Sequence, residues 1–297
     1  MSTPGIVIGA PCSGSGKTTI ATGLIGALRR AGRRVAPFKV GPDFIDPGYH
    51  ALAAGRPGRN LDPVMVGEDL IGPLYRYGSA GADIAVIEGV MGLFDGRIDD
   101  QFGFPARGST GQVAQLLDAP VLLVVDVRGQ SQTIAAVLHG FSTFRSGVRI
   151  GGVILNRVGS ERHEQVLRQA CEAVGVPVLG ALPRNDELAL PSRHLGLVTA
   201  TEHGAEAAAA VSAMTDLVSR HIDLAAVVAL AGSAVAGRAW SPENATGEPV
   251  AGAPVVAVAA GKAFTFSYAE HDELLRAAGA QVVAFDPLAE ELPERTA

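Results

Sequence analysis

The chain has 297 residues, with 24 Lys and Arg against 30 Asp and Glu and a formal net charge of −6. That length can bury a full core and fits more than one domain, and the acidic balance gives no sign of a nucleic-acid partner. No stretch is long and apolar enough to span a bilayer, the N-terminal residues lack the charged region of a signal peptide, and two cysteines, Cys12 and Cys171, are poorly placed to pair, so a cytoplasmic setting is expected.

The apolar run Gly5-Ile6-Val7-Ile8-Gly9 predicts a first strand over 6–10. It delivers Pro11-Cys12-Ser13-Gly14-Ser15-Gly16-Lys17-Thr18 to a helical pattern over 18–30, in which Ile20, Leu24, Ile25 and Leu28 share one face. A strand, a small-residue turn and a helix start make a phosphate-binding loop, with backbone N–H groups turned inward around the phosphates. Lys17 adds charge near the outer phosphates and Thr18 a hydroxyl for Mg²⁺; Ser13, Gly14, Ser15, Gly16 and Thr19 complete the loop. Pro11 stands where a first glycine is usual. Only Lys17, Lys39 and Lys262 are lysines, and two of them lie in the two N-terminal motifs, where a compact point charge suits a moving phosphoryl group better than the planar fork of Arg. Cys12 has no His nearby in sequence and suits the tight loop by its size.

Further strands are predicted over 35–40, 84–88, 121–126, 152–156 and 178–181, with helices over 130–144, 160–174 and 205–221. Continuous apolar strands alternating with helices argue for an α/β fold, a parallel sheet covered on both faces. Ligands then gather at the carboxyl ends of the strands. Residues 236–254 are rich in Gly, Pro, Ser and Ala and read as a linker. A new strand-helix-strand pattern follows over 255–259, 268–278 and 281–285. One such unit cannot bury its own faces, so 255–297 is expected to open a domain that the sequence does not complete, with 1–235 as the first domain.

Three more segments fall at predicted strand ends. Lys39-Val40-Gly41-Pro42-Asp43-Phe44-Ile45-Asp46-Pro47-Gly48-Tyr49-His50 sets a lysine before two carboxylates in a braced turn. Glu88-Gly89-Val90-Met91-Gly92-Leu93-Phe94-Asp95-Gly96 begins with a carboxylate that ends an apolar strand, a costly place unless it meets a cation. Leu155-Asn156-Arg157 is the third. Nucleotide-bound Mg²⁺ takes hard oxygen ligands and keeps waters, which Thr18, Asp43 and Glu88 can supply. Lys39 can neutralise charge on a transferred phosphoryl group. Each has a plainer reading: Asp43 as a turn cap, Glu88 as a surface strand end, Lys39 as a solvated strand terminus, and Asp46 and Asp95 as turn residues.

The quoted segments together resemble the cobyrinic acid a,c-diamide synthase family of cobalamin biosynthesis. The resemblance covers residues 5 to about 235, and 255–293 resemble the start of a class I glutamine amidotransferase domain. It implies a nucleotide-hydrolase fold of the dethiobiotin synthetase-like type, followed by an incomplete glutaminase-like α/β domain. It implies ATP and Mg²⁺ as cofactors and amidation of the a and c acetate side chains of cobyrinic or hydrogenobyrinic acid. ATP would phosphorylate a carboxylate, and ammonia, free or from glutamine, would displace the phosphate. By motif match Lys17 and Thr18 serve phosphate and metal, Asp43 and Glu88 the metal, and Lys39, Asp46 and Asp95 catalysis. Phe44, Tyr49 and His50 fall to the corrinoid substrate, and Asn156 to the adenine. The glutaminase partner would need an activated cysteine; Cys12 and Cys171 both lie in the first domain, so that half is expected to be absent here. A corrinoid and ammonia or glutamine are the expected partners, with no nucleic acid, no membrane, and a homodimer left open. The competing readings are a nickel-sirohydrochlorin a,c-diamide synthase, a dethiobiotin synthetase-like ligase, a cobyric acid synthase, whose second motif this segment does not resemble, and a partitioning or septum-positioning ATPase. The last carries a second lysine where Cys12 stands.

Overall fold

Strand residues of the first two hundred are apolar at successive positions, and the fold buries both parities. The computed structural model describes residues 2–98, 106–144, 147–184 and 199–296. Its main sheet joins β1 (Gly5–Gly9), β2 (Val35–Val40), β3 (Arg59–Leu61), β4 (Ile84–Glu88), β5 (Val121–Asp126), β6 (Ile150–Val158) and β7 (Val178–Pro183). Their order is β3-β2-β4-β1-β5-β6-β7, with every pairing parallel. The six strands expected in this region form within one or two residues of the predicted bounds; β3 is an addition.

Alternate residues feed two separate cores. Ile6, Ile8, Val35, Ile84 and Val86 pack beneath helix α1 (Lys17–Arg30), helix α2 (Asp46–Ala54) and the helix Ala205–His221. Val7, Ala36, Phe38, Ala85 and Ile87 pack on the other face, against the helices Glu68–Gly78, Thr110–Leu117, Ile134–Thr143 and Glu161–Ala173. Gly23 lets α1 lie almost on the backbone of the helix Ala205–His221, since a Cβ there would stand 2.5 Å from the Met214 carbonyl oxygen. Cys171 lies in the second core, its thiol pushed up to about 11 by burial. It is far from Cys12 in role and both thiols are free. Among the described residues, no helix is long and apolar enough to cross a membrane.

Residues 255–285 form as expected: β8 (Val255–Ala259), a helix Ala269–Ala277 and β9 (Gln281–Phe285), with β8 and β9 paired in parallel as a separate two-stranded sheet. The helix has no buried residue. This unit is held to the main sheet by a few specific contacts. Arg59 on the edge strand β3 donates to Glu270 at 2.6 Å and to both carboxylate oxygens of Glu273, and lies over the Tyr77 ring. Phe44 stacks on Phe266 and Tyr268, with centroids 5.1 and 4.5 Å apart. The segment 236–254 is not featureless: Ser241 caps a turn of helix over Pro242–Thr246, and Trp240 meets Tyr77 edge-on.

The Arg59 contacts should therefore govern how often the unit opens. Arg59→Ala removes a partly buried multidentate pairing worth about 1–2 kcal/mol. Amides of residues 269–285 should exchange about tenfold faster by hydrogen-deuterium exchange, with β1 and β2 unchanged. Unaltered exchange over 269–285 would mean that other contacts hold the unit.

Candidate functional site

The site grows from the register of three strands. Lys39 sits beside Glu88 across β2 and β4, and Glu88 beside Ile8 across β4 and β1. Both charges continue the face of Val35, Ile84 and Val86, so they end beneath α1 and α2 rather than in solvent. Glu88 is 1% exposed and Lys39 3%, which removes the solvated strand-end readings of both. The phosphate loop leaves β1 next door, and Gly16, at φ 98, turns the chain into α1.

Four side chains surround the Glu88 carboxylate. Thr18 Oγ1 donates to Oε1 at 2.6 Å. His50 Nε2 lies 2.7 Å from Oε2. Lys39 Nζ stands 3.9 Å from Oε1 while donating to the Gly89 carbonyl at 2.9 Å. Asp46 Oδ2 lies 3.7 Å from Lys39 Nζ and 3.5 Å from Thr18 Oγ1. Burial raises the pKa of both carboxyl groups, but for Glu88 the Lys39 charge and the hydrogen bonds from His50 and Thr18 outweigh it and hold the pKa low. Asp46 is pushed up, by burial first and then by the Glu88 charge. The two carboxyl groups therefore titrate as a unit in which Asp46 favours its protonated form more than Glu88 does.

Lys17 is also nearly enclosed, its pKa lowered by burial, and Nζ donates to the Met91 carbonyl at 2.6 Å and the Cys12 carbonyl at 3.4 Å. Met91 takes φ 47 to present that carbonyl, an unusual conformation for a residue with a side chain. Asp95 Oδ2 accepts from Gly92 N–H at 3.0 Å and so shapes this same loop. Ser15 Oγ closes the phosphate loop on the Cys12 carbonyl at 2.9 Å.

Other expected residues are placed differently from their motif assignments. Asp43 Oδ1 accepts from the N–H groups of Ile45 and Asp46 at 2.7 and 3.0 Å, capping the start of α2. Asp46, one turn further on, reaches the Thr18–Glu88 pair. Tyr49 and His50 are 1% and 0% exposed, so neither presents a surface that a substrate could touch; both face inward from α2 instead. Phe44 lies in the aromatic stack with Phe266 and Tyr268. Asn156 donates to the Ser15 carbonyl at 2.9 Å, bracing the phosphate loop from β6. Its neighbour Arg157 donates to the Gly14 carbonyl at 3.1 Å and pairs with Asp126. Asn60 on β3 donates to the carbonyls of Gly41 and Asp43 at 2.8 and 2.7 Å. Arg157, Asp126 and Asn60 carried no sequence signal beyond the strand-end position of Arg157.

Among the described residues, no three His, Cys, Asp or Glu side chains converge as a metal cage. One hydroxyl and two carboxylates fit a nucleotide-borne divalent cation instead, because phosphate and water supply its other oxygens.

The profile of the CobQ/CobB/MinD/ParA nucleotide binding domain family matches residues 6–198. Hydrogenobyrinate a,c-diamide synthase of Mycobacterium tuberculosis is 70% identical over 291 residues, 98% of this chain and 64% of that protein. The protein of the same name from Streptomyces coelicolor is 53% identical over 99% of this chain and 66% of its own length, and that from Rhodobacter capsulatus 45% identical over 99% and 65%. The chain thus spans just under two thirds of these curated relatives. The solved structure of the septum site-determining protein MinD with Mg-ADP from Pyrococcus horikoshii aligns over 76% of this chain and 98% of its own, at 20% identity and a TM-score of 0.39.

The raised Asp46 carboxyl sets a stability test. Folding binds its proton more tightly than the unfolded chain does, so the nucleotide-free fold loses stability as pH climbs from the ordinary carboxylate range toward the raised pKa. Asp46→Asn removes that loss. Without nucleotide, the variant should melt above wild type at pH 8 and level with it near pH 4. Equal melting at both pH values would make Asp46 an ordinary ion-paired carboxylate.

Proposed function

We propose that this chain, which belongs to the CobQ/CobB/MinD/ParA nucleotide-binding domain family and within it to the cobyrinic acid a,c-diamide synthases, uses ATP and Mg²⁺ to activate the a and c acetate carboxylates of hydrogenobyrinic or cobyrinic acid for amidation. The single observation that carries the reading is the Thr18–Glu88 hydrogen bond at 2.6 Å, set directly under a phosphate loop and flanked by Lys39 and Asp46. A buried carboxylate beside the loop's own hydroxyl suits a nucleotide-bound cation, which takes hard oxygen ligands alongside phosphate and water.

In this reading Lys17 leaves the Met91 carbonyl for the outer phosphates when nucleotide arrives. Thr18, Glu88 and Asp46 would hold Mg²⁺, which when bound offsets phosphate charge and helps align the transfer. A substrate carboxylate oxygen attacks the γ-phosphorus, and the bond to the ADP oxygen breaks. Lys39, fixed on the Gly89 carbonyl, stabilises charge on the phosphoryl group in flight. Ammonia then attacks the acyl carbon, the carbon–oxygen bond to phosphate breaks, and loss of a proton leaves the amide. Asp95 keeps the loop that carries Met91 in place, and Asp43 sets the turn that delivers Asp46. Asn156 and Arg157 brace the phosphate loop through the Ser15 and Gly14 carbonyls, and Asn156 is the residue we assign to the adenine. Phe44, within this turn and partly exposed, is the aromatic residue we assign to the corrinoid. We assign residues 1–235 to the synthetase unit, 236–254 to a connection and 255–297 to the start of a glutamine amidotransferase unit, and we place the reaction in the cytoplasm. Ammonia, free or released from glutamine, is the nitrogen donor in this reading.

The test is ATP- and ammonium-dependent mass gain of hydrogenobyrinic and cobyrinic acids. Lys17→Ala and Glu88→Gln should each lower turnover by about 10²–10³ or more while the melting temperature holds. Near-normal turnover in either variant would remove that residue from the reaction.

A further inference from the structure

We propose that His50 is a positioning residue, which fixes the Glu88 carboxylate so that one oxygen stays turned toward Thr18 and the metal end of the nucleotide. This inference rests on the reading of Thr18 and Glu88 as that metal end. It starts from spacing: Asp46 and His50 are four residues apart on α2 and therefore share one face, and that face looks at the end of β4. One residue approaches the carboxylate from the side of Lys39 and Thr18. The other meets its remaining oxygen.

The two oxygens of Glu88 are divided between two elements. Oε1 accepts from Thr18 on α1 at 2.6 Å and Oε2 is met by His50 on α2 at 2.7 Å. A glutamate side chain has three torsions to lose, and with only Oε1 held the group could rotate away from the phosphate side. His50 removes that freedom from a position that substrate cannot reach, since it is 0% exposed.

The rest of the ring argues the same way. Nδ1 is buried and has no hydrogen-bond partner among the described residues. A buried polar atom without a partner is destabilising, so an aliphatic side chain would fit the Tyr49–Ala53 surroundings at less cost. The ring contributes one directed contact, from Nε2 to Glu88. Because Oε2 of an ionised carboxylate only accepts, Nε2 carries the hydrogen of that contact. Partners that orient a metal-binding carboxylate characteristically change metal affinity by 10–100-fold when removed.

The experiment measures binding of a fluorescent ADP derivative by the full chain as Mg²⁺ is titrated, alongside binding without Mg²⁺ and the melting temperature. His50→Leu keeps bulk and loses the donor; His50→Asn keeps an amide that is too short to reach Oε2; His50→Gln places an amide N–H near the lost Nε2. The Leu and Asn variants should need at least about tenfold more Mg²⁺ for half-saturation, with metal-free ADP affinity unchanged, and Gln should restore most of the wild-type requirement. Should the Leu variant fail to fold, the Asn and Gln pair carries the comparison. A folded Leu or Asn variant with a wild-type Mg²⁺ requirement overturns the proposal. So does an equal loss of ADP affinity with and without Mg²⁺, which marks a packing role. Glu88→Gln separates the levels: if it leaves the Mg²⁺ requirement unchanged, the reading of the metal end fails, whereas a shift there with none at His50 removes only the positioning role.

Discussion

An ionised carboxylate under two helices is the constraint around which this half of the molecule is arranged. Without partners, Glu88 at 1% exposure would be prohibitive to bury. The register of β2 against β4 brings Lys39 alongside it, α1 contributes Thr18, and α2 contributes His50. Each of these elements also covers the same core, so the charge cluster and the apolar packing specify one arrangement together. The second carboxylate, Asp46, has longer contacts, to Lys39 at 3.7 Å and Thr18 at 3.5 Å, and burial pushes its pKa up. A cation entering the site would therefore favour the ionised form of Asp46 over the protonated one.

Much of this was legible in the sequence because parallel strands covered on both faces read as continuous apolar runs. The runs ending in Lys39 and Glu88 announced charges at strand ends, and the loop before Lys17 named the ligand class. Spacing alone did not distinguish Asp43 from Asp46. Both lie in one turn, and only the fold shows that Asp43 is occupied by two backbone N–H groups while Asp46 reaches Thr18. His50 looked like a substrate residue because a histidine in a motif suggests contact; its enclosure depends on α2, whose opening Pro47-Gly48 hid the helix. β3 is three residues long, and Arg59-Asn60-Leu61 has neither an apolar run nor an alternation to reveal it.

That short strand joins the two parts of the chain. Asn60 holds the carbonyls of Gly41 and Asp43, and so the turn that delivers Asp46. Its neighbour Arg59 grips Glu270 and Glu273 on the helix after β8. Phe44, inside the same turn, stacks on Phe266 and Tyr268. The unit at 255–285 is therefore seated on the second motif rather than on a distant surface, and it has little core of its own: Val282 is its one buried apolar residue among those described.

The most direct measurement is the anomalous difference density of Mn²⁺ in crystals grown with ADP. The ion is expected about 2 Å from the Thr18 hydroxyl oxygen, with Glu88 or Asp46 completing the protein side directly or through water, and Lys17 moved from the Met91 carbonyl to the β-phosphate. Manganese and phosphate bound elsewhere, with Thr18 still donating to Glu88 and Lys17 still on Met91, would contradict this placement.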